Sequence, residues 1–120
     1  MGELKDKSFE FAIRIVKLYK YLENEKKEYV MSKQLLRAGT AIGALYREAE
    51  FAESKADFIH KLSISQKECN ETMYWLELLQ STGYLNQPQF DSLMQDAITL
   101  MKLLTSIIKS TKLTLKNTNK

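Results

Sequence analysis

The side chains that could carry chemistry in this chain are one histidine, one cysteine and scattered carboxylates. Asp57 and His60 have the spacing of the Glu-x-x-His element of di-iron bundles, but such a site needs two elements and further carboxylates facing inward. A single copy at the start of a helix therefore predicts a surface pair rather than a metal site. Cys69 has Ser65, Met73 and Leu76 at helical spacing, which indicates a buried, small hydrophobic residue.

Motifs for nucleophilic catalysis or phosphate binding are also lacking. No Gly-x-Ser-x-Gly elbow surrounds a serine, and the segment Gly39–Gly43 has no Gly-Lys-Ser/Thr ending. We therefore expect no enzyme, no cofactor and no small-molecule substrate.

Basic residues offer a second kind of chemistry, the binding of phosphates. Five are candidates for contact with RNA: Lys33, Arg37 and Arg47 in the second predicted helix, and Arg14 and Lys17 in the first. Several tyrosines could stack on bases in a basic groove, although tyrosines at helical spacing more often surround a core. The C-terminal fifth is also basic, which suits either a helix C-terminus or a polyanion partner.

These residues must be positioned by helices, because the chain has one proline, four glycines and abundant helix-forming residues. Capping signals at Ser8, Ser32, Ser54 with Asp57, and Asn86 predict helices over about 8–22, 32–52, 55–81 and 87–112, with a frayed basic tail over 113–120. The short connections predict one domain over residues 1–120, an up-down-up-down antiparallel four-helix bundle.

The first and last helices each carry two apolar stripes. In the first helix, Phe9, Ala12, Ile13, Val16 and Tyr19 have the spacing of a core-facing stripe, and a second stripe contains Phe11, Ile15, Leu18 and Leu22. In the last helix, one stripe runs from Phe90 to Ile108 and the other contains Leu93, Leu100, Leu103 and Ile107. Because a small bundle buries one stripe per helix, we expect the second stripes to pack against another copy of the chain.

The second helix contains two glycines, Gly39 and Gly43, within five residues. Glycine inside a helix costs about 1 kcal/mol relative to alanine, so a close helix–helix approach is the expected compensation.

The composition is that of an ordinary globular chain, with 28% charged residues and a net charge of +3. No secretion signal begins the sequence, and its longest apolar stretch, residues 97–108, is too short to span a membrane. We expect a cytoplasmic protein.

The run from Ser32 to Ala44 is distinctive, as are Glu48-Ala49, Ser54–Ile59, Lys67-Glu68, Glu71-Thr72, Tyr74-Trp75-Leu76 and Gly83-Tyr84-Leu85. Over residues 8–112, these segments resemble the bacterial four-helix-bundle family encoded in intervening sequences of large-subunit ribosomal RNA genes. The resemblance implies an up-down bundle, assembly into a ring-shaped homopentamer and no enzymatic activity. A similar bundle is the accessory protein of diversity-generating retroelements, which binds a reverse transcriptase and nucleic acid. The sequence thus predicts a non-enzymatic oligomeric scaffold, with an accessory module for RNA or a nucleic-acid enzyme as the alternative.

Overall fold

The computed structural model describes residues 2–118, which form four α-helices. These are α1 (Gly2–Asn24), α2 (Met31–Ala49), α3 (Lys55–Ser81) and α4 (Gln87–Thr118). The described residues contain no strand, so the predicted all-α class with four helices is confirmed.

The helices form a bundle of 56 × 22 × 21 Å in which each helix contacts the next and α1 also contacts α4. Neighbouring helices run antiparallel. Ile42 in α2 accepts a hydrogen bond from Ser65 in α3 at 3.0 Å, whereas Glu48, further along α2, pairs with Lys61, earlier in α3. The contact between α1 and α4 is the smallest of the four, and the two helix pairs α1–α2 and α3–α4 occupy opposite sides of the bundle.

The core contains one stripe from α1, and it is not the stripe that the sequence favoured. Phe11, Ile15, Leu18 and Leu22 are buried, together with Leu4 and Ser8. Phe9 and Ile13 of the predicted core stripe are exposed. The two stripes have the same spacing, and which one is buried depends on where α2 and α4 lie. Phe11, Ile15 and Leu18, members of the second stripe, therefore pack within the chain.

The core stripe of α4 combines both predicted stripes. Its buried residues are Leu93, Ala97, Leu100, Leu104 and Ile108. Leu100 thus packs within the chain rather than between copies, while Leu103 and Ile107 are half-buried against the same core.

The start of α1 differs from the prediction. The helix begins at Gly2, and Ser8 lies in its interior rather than at its N-cap. The Ser8 hydroxyl donates to the carbonyl of Lys5 at 3.1 Å, a bond that satisfies a buried polar group without ending the helix.

The connection before α2 is held by Glu28, the last residue of the polar run 23–28. The buried Glu28 carboxylate accepts hydrogen bonds from the backbone N–H groups of Val30, Met31 and Ser32, at 2.7–3.0 Å. Ser32, the predicted cap, lies in the first turn and donates its hydroxyl to the Glu28 carbonyl. These bonds satisfy N–H groups that have no partner inside the helix. The helix then ends at Ala49, three residues before the predicted end.

The ends of α3 follow the predicted capping chemistry. Ser54 accepts a hydrogen bond from the N–H of Asp57, and the helix spans the expected residues. At its end Gly83 has φ +86°, and the N–H of Tyr84 bonds to the carbonyl of Leu79. This is the Schellman arrangement, in which the left-handed residue favours glycine.

The last helix is longer than predicted. Asn86 and Gln89 exchange side-chain to backbone hydrogen bonds at its start, as a capping box does. The helix continues to Thr118, so residues 113–118 are helical rather than frayed; residues 119–120 of the predicted tail lie outside the described part of the chain.

The two glycines of α2 lie against α1. A Cβ added at Gly39 would lie 2.8 Å from Ile15 Cγ1, and one added at Gly43 would lie 3.0 Å from Ser8 Oγ. Both glycines are buried, so the expected close approach of two helices occurs between α1 and α2.

Candidate interaction surface

The apolar stripe of α1 that does not enter the core forms part of an exposed surface with α2. We call this surface the α1–α2 face; it contains Phe9, Ala12, Ile13, Val16, Ala44, Arg47 and Phe51. Phe9 is 54% exposed, Ile13 42% and Phe51 88%. The guanidinium of Arg47 lies 5.4 Å from the centre of the Phe9 ring, which joins the two helices across this face.

Phe51 lies at the end of α2, where it lines a surface hollow with Ala44, Arg47, Glu48, Glu53, Asp57 and Lys61. The side chain is therefore surrounded by charged groups and has little apolar contact within the chain. Exposed apolar side chains bordered by charges are typical of an interaction site.

Arg37, one of the predicted RNA-binding residues, is held by carboxylates of α3. Its guanidinium pairs with Glu68 at 3.0 Å and with Glu71. Glu71 also accepts a hydrogen bond from the indole N–H of Trp75 at 3.0 Å. The network ties α2 to α3, and its two carboxylates neutralise the positive charge that a phosphate would require.

The other predicted basic residues lie on different sides of the bundle. Arg14 pairs with Asp96 of α4 at 2.5 Å and donates to Ser92, and Lys17 lines the same groove between α1 and α4. Lys33 is exposed on α2, and Arg47 belongs to the α1–α2 face. The structure does not bring these five residues together into one groove.

Two of the few side chains suited to catalysis form hydrogen bonds with the backbone. Asp57 accepts a hydrogen bond from the N–H of Glu53, and His60 is exposed. Cys69 is buried as predicted, and its thiol donates to the carbonyl of Ala97 at 3.3 Å. Burial raises the pKa of the Cys69 thiol to about 11, so little reactive thiolate forms near neutral pH.

Over residues 2–118, no group of three or more His, Cys, Asp or Glu side chains is arranged to hold a metal ion. None of the helices in this range combines the length and apolarity needed to cross a bilayer.

Sequence reasoning missed the residues that form the exposed surface. Phe9 and Ile13 were assigned to the core because their spacing equals that of the buried stripe. Phe51 was not recognised, although it is an aromatic residue within the acidic segment Glu48-Ala49-Glu50-Phe51-Ala52-Glu53. Such an isolated aromatic side chain among carboxylates is the signal that could have identified it.

Comparison with known proteins places the chain in a family. A family model described as 23S rRNA-intervening sequence protein matches residues 3–106. A protein of unknown function from the S23 ribosomal protein family of Bacteroides thetaiotaomicron, whose crystal structure is known, is 62% identical, with a TM-score of 0.88. That match covers 88% of this chain and 98% of the other. No curated protein matches. The fold and the matched residues together establish that this chain belongs to the 23S rRNA-intervening sequence protein family.

Proposed function

We propose that this protein is a non-enzymatic scaffold that assembles with copies of itself through the α1–α2 face. The observation that carries the proposal is the exposure of Phe9 and Ile13, which are 54% and 42% exposed in the single chain. A ring of five copies is the form that the family resemblance implies, and the sequence predicts a cytoplasmic location.

Burial of the exposed apolar side chains by a partner would contribute free energy to association. Complete burial of a large apolar side chain contributes about 1.5–3 kcal/mol, so the half-exposed Phe9 and Ile13 could each contribute about 1 kcal/mol when a partner covers them. Phe51, which is 88% exposed, would contribute more. Several such contacts together favour association and offset part of the free-energy cost of lost rotational and translational freedom.

The surroundings of the potentially reactive groups support the non-enzymatic part of the proposal. The thiol of Cys69 is buried against a backbone carbonyl, and the Asp57 carboxylate is engaged at the start of α3. The buried thiol has no base beside it, which activation of a nucleophile requires.

Light scattering after size exclusion tests the proposal. At micromolar concentration the wild-type protein should have the mass of two or more chains of 13.9 kDa each. The variant Phe9→Gln/Ile13→Gln should shift toward the monomer because it removes apolar area from the α1–α2 face.

The matched control is Tyr29→Gln/Val30→Gln, which changes two exposed apolar residues in the connection between α1 and α2. This control should keep the wild-type mass, and circular dichroism should show that both variants fold. A wild-type mass of one chain across this concentration range would refute the proposal.

Binding of RNA, or of a nucleic-acid enzyme, is the second candidate, supported by the exposed Lys33 and by Arg47 on the same side of α2. The triple variant Lys33→Ala/Arg37→Ala/Arg47→Ala should then lose affinity for single-stranded RNA. The slope of log affinity against log salt concentration should become shallower by about 0.7 for each phosphate contact removed. Equal binding by the triple variant and the wild type would exclude this site.

A further inference from the structure

The turn between α2 and α3 presents an aromatic side chain surrounded by acidic residues. Phe51 is the most exposed large apolar residue of the described chain, and Glu48, Glu50 and Glu53 flank it. Glu48 and Glu50 pair with Lys61 and Lys5 at 3.5 and 3.6 Å. Such partly exposed ion pairs contribute about 0–1 kcal/mol, so they can be exchanged for other partners. We call Phe51 and these three glutamates the acidic turn.

A groove of about 420 Å³ between α3 and α4 has the complementary character. It is lined by Gln66, Thr105, Ile108, Leu113 and three lysines, Lys109, Lys112 and Lys116. The lysines follow one another at intervals of three and four residues, so they lie on one side of α4. Leu113, which is 55% exposed, provides apolar surface between them. We call this site the lysine groove.

The two features lie at the same end of the bundle and on different sides of it. Phe51 comes four residues before the start of α3, and the antiparallel α4 ends beside that start. Phe51 lies in a hollow between α2 and α3, whereas the lysine groove lies between α3 and α4. Copies placed side by side with parallel axes would therefore bring the acidic turn of one copy level with the lysine groove of the next.

We propose that the lysine groove receives the acidic turn of a second copy, with Phe51 against Leu113 and the glutamates beside the lysines. The inference rests on the proposed self-assembly and specifies its contact. The contact joins two different surfaces, so successive copies associate head to tail, and they close into a ring if the rotation between them allows it. The three lysines lie beyond the residues that the family model matches.

The lining of the groove favours a protein partner over nucleic acid. Single-stranded nucleic acid is usually bound by aromatic side chains that stack on bases, combined with positive charge. The residues lining this groove include no aromatic ring and no arginine, and its surface between the lysines is aliphatic. An exposed phenylalanine with carboxylates on both sides matches that surface in shape and in charge.

Charge reversal tests the contact. The groove variant Lys109→Glu/Lys112→Glu/Lys116→Glu and the turn variant Glu48→Lys/Glu50→Lys/Glu53→Lys should each weaken self-association by about tenfold or more, since like charges then face each other. A chain that carries both sets should regain most of the wild-type affinity. Folding of each variant is checked by its circular dichroism and melting temperature.

Disulfide trapping tests the geometry without altering charge. Equal amounts of Phe51→Cys and Leu113→Cys proteins are mixed and oxidised, so that any disulfide between the two positions must join different chains. Cys69 is buried and stays in both proteins. A disulfide requires Cα atoms within about 7 Å. The mixture of Phe51→Cys with Tyr74→Cys is the control, because Tyr74 is as exposed as Leu113 but lies further along α3.

The outcomes separate this contact from the general proposal of self-assembly. A monomeric wild-type protein would refute both. An oligomeric protein that is insensitive to charge reversal and is trapped equally with the control would refute only the contact. Loss of RNA binding in the groove variant, without a change in its mass, would also refute the contact and assign the lysines to a polyanion. Restoration by the combined charge sets together with selective trapping would support it.

Discussion

Helix α1 packs against two neighbours in different ways. Toward α2 it meets two glycines, and Ile15 would be only 2.8 Å from a Cβ added at Gly39. Toward α4 the contact is smaller, and its specific polar contact is the partly exposed pair of Arg14 and Asp96. The first interface depends on the absence of side chains, whereas the second depends on charges that water can also solvate.

This difference indicates how the stability of the bundle is distributed. Closely packed atoms respond to any added volume, because a protein interior has little space to rearrange. A partly exposed ion pair contributes about 0–1 kcal/mol. We therefore expect substitutions at the α1–α2 interface to have large effects on the free energy of unfolding, and those at the α1–α4 interface to have small ones.

The largest effect is expected for Gly39→Leu. The new side chain would overlap Ile15, so the two helices must separate, and we expect a loss of about 3 kcal/mol, the upper part of the usual range for overpacking. Urea unfolding measures this loss. Ile15→Ala in the same chain should recover part of it, because it removes the atoms nearest to the new Cβ.

Gly43→Ala is the matched control within the same helix. The added Cβ would lie 3.0 Å from the hydroxyl oxygen of Ser8, and this side chain is smaller than the branched side chain of Ile15. The variant should therefore lose less stability than Gly39→Ala. The reverse order would show that the approach of α1 to α2 is limited at Ser8 rather than at Ile15.

An intermediate effect is expected for Glu28→Gln, which alters the cap of α2 beside the α1–α2 interface. Burial of the Glu28 carboxyl acts to raise its pKa, but the hydrogen bonds from Met31, Ser32 and Val30 outweigh burial and lower the pKa. Losses on removal of a helix cap are about 0.5–2 kcal/mol, and glutamine retains one acceptor oxygen, so we expect about 1 kcal/mol at pH 7.

The pH dependence has a defined sign. Because the pKa of Glu28 is lower in the folded state, its ionised form stabilises the protein above the ordinary carboxyl pKa of about 4.3. This contribution is lost as the pH falls through the folded-state value. The difference in unfolding free energy between wild type and Glu28→Gln should therefore be largest at neutral pH and decrease below about pH 4. A constant difference down to pH 2 would contradict this account.

The contrast between the two interfaces also explains what could be predicted from sequence. Capping at Ser54 and Asn86 depends on residues three positions apart, so the starts of α3 and α4 were correctly predicted. The burial of Cys69 followed from helical spacing. The close approach at Gly39 followed from the cost of glycine in a helix.

Features that depend on distant parts of the chain could not be predicted in this way. Phe9 and Phe11 both belong to regular apolar stripes, and the positions of α2 and α4 decide which is buried. Glu28 lies in a charged connection, and its burial depends on the turn that brings α2 back along α1. Arg37 was assigned to RNA because its pairing with two glutamates could not be recognised. These partners lie 31 and 34 residues away in sequence.

The smallest effect is expected for Arg14→Ala, which removes the ion pair between α1 and α4. The side chains of Arg14 and Asp96 are 40% and 45% exposed, so solvent screens their attraction, and the loss should be about 0.2–1 kcal/mol. Arg14→Lys should lose less, because it keeps the charge and gives up only the second contact to Ser92. Urea unfolding at 0.05 and 0.5 M salt measures both variants, and the effect of the alanine variant should decrease at high salt. A loss for Arg14→Ala as large as that for Gly39→Leu, and independent of salt, would mean that the α1–α4 interface is as tightly determined as the α1–α2 interface. The contrast between charge and close packing would then not describe how α1 is held.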